Sequence, residues 1–173
     1  ALIRKADGQV TSKAKKLINE ALLEDPLDPG ANFLNGITHK IDESNSLLFI
    51  TDFSARKLYE FNINTQEITE LCSFDKNPNG IIYESNMNRL IIVSWGNNAK
   101  IYEFSLNDYS LSTLLTTSLG YLDGISIDQC GNFIVSSWST NSIHTFRNNF
   151  PVNQTNGFNI IASNLNNPAD IFY

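Results

Sequence analysis

The chain has 173 residues, with 12 Lys and Arg against 18 Asp and Glu and a net charge of −6. That length supplies one domain with a sizeable core, and an acidic chain without a basic stripe is excluded as a nucleic-acid binder, because neutralising phosphates needs clustered Lys and Arg. No apolar run approaches the roughly twenty residues of a membrane helix, and two cysteines are too few for a disulfide framework.

Residues 1–30 read apart from the rest. Leu2–Thr11 matches the end of a preceding repeat unit, its third and fourth strands joined at an Asp7-Gly8 turn. Ser12–Asp25 follows as a helical or irregular connection, with Ala14, Leu17, Ile18, Ala21 and Leu22 at helical spacing after a Thr/Ser cap. Ala1–Val10 lacks the charged and apolar regions of a signal peptide, so none is expected there.

Residues 31–173 repeat themselves. "LNGITHKID", "NPNGIIYES" and "LDGISIDQC" each set a polar residue and a glycine before an apolar run, and Asn35, Asn79 and Asp123 stand 44 residues apart. Each unit predicts a first strand (Gly36–Ile41, Gly80–Tyr83, Gly124–Ile127). A second run then ends on an aromatic: "LLFITDF" on Phe53, "LIIVSW" on Trp95 and "FIVSSW" on Trp138. A third strand follows ("KLYEFNI", "KIYEFSL", "SIHTFRN"), then a less regular fourth (Glu67–Phe74, Leu111–Thr117, Asn159–Ser163). The closing "NPADIFY" reads as one more first strand, with Ala169 at the repeated polar position.

Four short strands rich in β-branched and aromatic residues, separated by Asn, Asp, Ser and Gly, describe an antiparallel meander. Such a sheet cannot bury both faces alone. Stacking copies around an axis solves that, and a period of 40–45 residues with four strands per unit is the signature of a β-propeller blade. The expected fold is therefore all-β: three whole blades and the first strand of another over residues 31–173, a part of a propeller.

First strands line a propeller's central channel, so the residues just before them are expected in loops at one mouth, with Asn35, Asn79 and Asp123 converging on the axis. Two amides and a carboxylate suit a hard cation such as Ca²⁺. The same dipeptides, Asn-Gly and Asp-Gly, also serve as plain turns. Both readings stand at this point. Phe53, Trp95 and Trp138 read as blade-packing residues and not as a ligand-stacking site, and Lys57 and Lys100 as solvated strand-edge charges. His39 and His144 read as ordinary histidines and not a pair. Cys72 and Cys130 read as buried free thiols, and Asn153-Gln154-Thr155 is a glycosylation triplet. No Gly-x-Ser-x-Gly elbow or phosphate-binding glycine loop occurs.

From Asn35 to Tyr173 the chain resembles the six-bladed propellers of the gluconolactonase, regucalcin and strictosidine-synthase-like group and related NHL repeats. "PNGIIYESNMNRLIIVSWGNNAKIYEFSL" and "LDGISIDQCGNFIVSSWSTNSIHTF" carry the likeness. The resemblance implies six blades in the whole protein and a divalent metal, Ca²⁺ first, held by Asn79 and Asp123. It further implies Asp123 as the catalytic group beside the attacking water, Asn35 as the substrate contact, and a sugar lactone or related ester as substrate. The lactonases add a Glu from a first blade that this chain does not contain, and Ala169 stands where another ligand is sought. "LFITDF" is similar to the motif of YWTD propellers, which implies the alternative, a non-catalytic module binding a protein, peptide or glycan.

Overall fold

The structure, a computed structural model, describes residues 33–41, 46–147 and 158–171. The strands and helix expected within residues 1–30, and the Asn153 triplet, lie outside them. Twelve strands form three antiparallel sheets of four, each in plain sequence order. The first holds β1 (Leu34–Ile41), β2 (Ser46–Asp52), β3 (Lys57–Asn62) and β4 (Ile68–Ser73). The second holds β5 (Pro78–Glu84), β6 (Arg89–Ser94), β7 (Lys100–Ser105) and β8 (Ser110–Thr116). The third holds β9 (Leu122–Ile127), β10 (Phe133–Ser137), β11 (Ser142–Phe146) and β12 (Asn159–Ala162). These are the predicted meanders, with ends shifted by a residue or two. Residues 163–171 form no strand.

The sheets stack as blades through β1, β5 and β9, whose backbones approach one another in turn. Burial explains the composition of each strand. β6 and β10 are buried along their whole length; the two faces of β6 meet the first and third blades, and one face of β10 meets the second. Their sequences, RLIIVS and FIVSS, are accordingly almost continuous apolar or small residues. β3 and β7 alternate between buried and half-buried positions. The outer strand β8 is mostly exposed.

Two apolar layers glue the blades. Phe49 and Leu58 of the first blade meet Leu90, Ile92, Tyr102 and Phe104 of the second. Ile91, Val93 and Ile101 meet Leu122, Phe133, Val135 and Phe146 of the third. At the typical ~25 cal/mol per Å² of buried apolar surface, these layers are the main stabilising force. The abundance of Asn has a backbone cause. Among the described residues, five of the nine non-glycine residues at positive φ are Asn (Asn88, Asn98, Asn141, Asn164, Asn167), the residue that tolerates the left-handed conformation of tight turns.

Cys72 and Cys130 are free thiols. Neither is the buried thiol the sequence suggests: Cys72 is half-buried and Cys130 exposed, in the turn after β9. Burial, and then Glu70, push the Cys72 thiol up to about 12. Lys57 and Lys100 are half-exposed strand residues, each engaged by an acid, Lys57 by Glu70 at 3.0 Å and Lys100 by Asp75. His39 is exposed on the first blade, whereas His144 is buried in the third against Thr140. Among the described residues no helix is long and apolar enough to cross a membrane.

Candidate functional site

The three repeated polar residues do not lie in loops. Asn35, Asn79 and Asp123 fall inside β1, β5 and β9, each within the same irregularity. Between the pairs Leu34↔Asp52 and Ile37↔Ile50, β1 advances one residue more than β2. The same slip separates Pro78↔Ser94 from Ile81↔Ile92, and Leu122↔Ser137 from Ile125↔Val135. An extra residue in one strand is a β-bulge, a device that re-aims a side chain. The polar-glycine dipeptide is thus a bulge repeated in every blade and not a turn.

Its glycine has a packing reason. A Cβ at Gly36 would stand 2.3 Å from the Asn79 carbonyl oxygen, one at Gly80 would stand 2.3 Å from that of Asp123, and one at Gly124 would stand 2.7 Å from that of Ala169. Each glycine therefore lets the next blade's polar position come into contact. Hydroxyls tie two of these steps. Thr51 Oγ1 accepts from the Gly36 amide at 2.9 Å and donates to the Asn79 carbonyl at 2.7 Å. Ser136 Oγ likewise accepts from the Gly124 amide at 2.8 Å and donates to the Ala169 carbonyl at 2.7 Å.

The side chains consequently stand side by side. Asn35 Nδ2 donates to Asn79 Oδ1, and Asn79 Nδ2 donates to the Leu122 carbonyl at 3.2 Å. Asn79 is buried, whereas Asp123 is half-buried. Burial, and then the charge of Asp170, raise the Asp123 carboxyl above the ordinary aspartate range, while the nearby Asn79 amide and Trp138 indole pull the other way. The indole N–H itself is buried and makes no hydrogen bond of good geometry.

Two cavities meet along this row. One, of about 410 Å³, runs along the inner strands and is lined by Asn35, Asn79, Asp123 and Asp170, with Gly36 and Gly80 between them. The other is about 400 Å³. It is walled by Phe33, Phe53, Trp95 and Trp138, with Asn35, Asn79 and Asp123 as its polar lining among the described residues.

Two features went unread in the sequence. Asp170 follows Ala169 and so occupies the position that is glycine in the other blades; comparing "NPNG" with "NPAD" carries that signal. The aromatics that end β2, β6 and β10 do pack blade to blade, Phe53 on Trp95 at 6.3 Å and Trp95 on Trp138 at 4.9 Å, both edge to face. They also form a cavity wall. Their place, directly beside the bulge, follows from the pairing of first and second strands: the Phe53 amide donates to the Phe33 carbonyl, and that of Trp95 to Asn77. Tyr121, which packs on Trp95 at 5.1 Å, holds φ at 52°, an unusual conformation for a bulky residue.

A divalent cation can be tested against this donor set. Two carboxylates and amide oxygens are hard ligands of the kind Ca²⁺ and Mg²⁺ take. The Asn79 side-chain oxygen accepts from Asn35 Nδ2 and keeps a second lone pair. Among the described residues no three His, Cys, Asp or Glu side chains cluster, so the row brings two carboxylates and no soft ligand set. The residues fit a hard cation whose shell is completed by water or by other groups.

No protein-family model matches the chain, and no curated protein matches it in sequence. Solved structures match it in shape. A streptogramin B lyase is 16% identical with a TM-score of 0.60, over 82% of this chain and 45% of its own. A nidogen/laminin complex gives 19% identity and a TM-score of 0.67, over 81% and 52%. A gluconolactonase-like protein gives 16% and 0.55, over 75% and 49%. The chain spans about half the length of these structures. At such identities the likeness shows the fold alone: the three sheets are successive blades of a β-propeller.

Proposed function

We propose that this chain contributes a divalent-cation site at the mouth of a propeller channel, at which a lactone or related ester is hydrolysed. One observation carries the reading: three successive bulges bring Asn35, Asn79 and Asp123 into a single row, with Asp170 lining the same cavity and its charge acting on Asp123. A half-buried carboxylate raised by burial and then by a second acid is an arrangement that a cation relieves.

In this reading Asn79 and Asp123 hold the ion, joined by Asp170, and Asn35 keeps the Asn79 amide turned with its oxygen inward. A bound cation would supply polarisation of the ester carbonyl. Asp123 takes a proton from the attacking water on a carboxylate oxygen. Asn35, at the junction of the two cavities, touches the substrate. The blade-to-blade contacts fix all three side chains on strands and not on loops, which holds their geometry.

Calorimetric titration with Ca²⁺, Mg²⁺, Mn²⁺ and Zn²⁺, on the wild type and on Asp123→Ala, tests the site. Acid release from a panel of lactones tests the chemistry. Uptake of a hard cation that Asp123→Ala abolishes supports the reading, and a wild type that takes up none of the four ions ends it.

The aromatic mouth favours a second reading, a non-catalytic module that takes a protein, peptide or glycan there. One matching structure is a propeller protein in complex with laminin. Ligand binding at the mouth without cation uptake or ester cleavage selects this reading.

A further inference from the structure

We infer that the aromatic cavity takes an apolar alkyl or aryl substituent of the ligand, so that the substrates are lipophilic lactones or esters and not polyhydroxylated sugar lactones. The inference rests on the hydrolytic reading for the word substrate, and on the cavity alone for the chemistry of what enters it.

Four aromatic side chains wall a space of about 400 Å³, within the size range of small-molecule sites. Among the described residues its polar lining is confined to Asn35, Asn79 and Asp123, at the junction with the inner cavity. The two amides are already engaged, Asn35 with Asn79 and Asn79 with the Leu122 carbonyl. A sugar lactone brings a hydroxyl on nearly every ring carbon, and each one buried without a partner costs on the order of 1–3 kcal/mol. Among the described residues the four wall side chains offer only the indole N–H groups of Trp95 and Trp138, the latter buried, and no acceptor.

Ring geometry points the same way. Phe33 meets Phe53 at 76°, Phe53 meets Trp95 at 66° and Trp95 meets Trp138 at 76°. Interlocked edge-to-face rings give a corrugated apolar wall instead of the single flat platform on which a pyranose stacks. An alkyl or aryl group fills such a wall, gaining about 0.8 kcal/mol per buried methylene. Among the described residues no Lys, Arg or His lines the cavity, so an anionic substituent finds no partner among them.

The molecule carries its own reporter. Its two tryptophans, Trp95 and Trp138, both line this wall. Tryptophan emission is recorded while the protein is titrated with γ-nonalactone, with nonan-1-ol, which has the chain but no ester, and with D-glucono-δ-lactone. The two apolar probes are expected to shift the emission saturably, and gluconolactone to leave it unchanged up to at least about tenfold higher concentration. Phe33→Asp places a charge at a wall residue that is 53% exposed, a change the fold tolerates, and is expected to weaken γ-nonalactone at least about tenfold. Trp95→Phe and Trp138→Phe each leave one reporter that still responds.

No response to either apolar probe, or a response to gluconolactone at lower concentration than to γ-nonalactone, overturns the inference. An unchanged affinity in Phe33→Asp also overturns it. Saturable binding of both apolar probes without cation uptake or ring opening leaves the inference standing and removes the hydrolytic reading instead.

Discussion

Gly80 lies against the carbonyl oxygen of Asp123, so close that a side chain on Gly80 would begin 2.3 Å from it. The contact joins the second blade to the third at the position that carries the candidate site. Gly80→Ala must push the blades apart or distort the bulge, and overpacking of this kind costs about 1–3 kcal/mol. A fall in the urea midpoint with an unchanged slope is expected. So is a change in the near-ultraviolet signal of Trp95 and Trp138, which span the same two blades. An alanine variant as stable as the wild type contradicts the packing described.

The hydroxyl links make a second, sharper test. Thr51 and Ser136 bridge a bulge glycine to the next blade, but the equivalent residue on β6 is Val93, buried between the second and third blades. Thr51→Val removes a buried bridge and leaves the Gly36 amide and the Asn79 carbonyl without it, at about 1–3 kcal/mol. Val93→Thr nearly conserves shape and sets a hydroxyl between the Gly80 amide and the Asp123 carbonyl. It is expected to leave stability unchanged or raise it by up to about 1 kcal/mol. Chemical denaturation of both variants decides the matter. A Val93→Thr loss as large as that of Thr51→Val refutes the equivalence of the blades.

The fold was legible in the sequence because a repeat constrains many residues at once. The 44-residue spacing of Asn35, Asn79 and Asp123, with the aromatic ends of β2, β6 and β10, leaves few ways to arrange twelve strands. The bulges were not legible. Asn-Gly and Asp-Gly favour turns locally, and only the register of the neighbouring strand shows that here they form bulges. Gly36, Gly80 and Gly124 are there for closeness to another blade, a long-range cause that local chemistry does not display. The double duty of Trp95 and Trp138 was hidden for a like reason. Their spacing marks packing, and whether one edge of the packed row faces a cavity depends on where the bulges place Asn79 and Asp123.

Away from the site, the second blade holds a buried charge cluster. Arg89 Nε donates to Glu84 at 2.5 Å and its Nη1 donates to Glu103, with the Arg89 and Glu84 side chains only 5% and 9% exposed. Arg89→Met strands Glu84 in a poorly solvated setting, and removing one partner of a buried pair costs about 3–5 kcal/mol. The double variant Arg89→Met, Glu84→Leu removes both charges and is expected to recover most of that loss. Thermal denaturation of the two proteins checks it; equal stabilities show that the charge of Glu84 is not the cause.

Asp123 links stability, pH and cation binding in one residue. Its carboxyl is raised by burial and by Asp170, so the folded protein holds this proton more tightly than the unfolded chain does. Stability therefore falls as pH rises from the ordinary aspartate value through the raised one, and the loss is complete above that window. Asp123→Asn carries no such charge. Without divalent ions it is expected to be more stable than the wild type at neutral pH, and the advantage should vanish below the ordinary aspartate value. Calcium should reverse the order, because a ligand bound only by the folded state stabilises it by about 2.7 kcal/mol at a hundredfold excess over its dissociation constant. Denaturation curves with and without the ion, at pH 3 to 8, separate the two effects. A wild type that gains nothing from Ca²⁺ while Asp123→Asn keeps its neutral-pH advantage assigns the strain at Asp123 to burial beside Asp170, with no cation to relieve it.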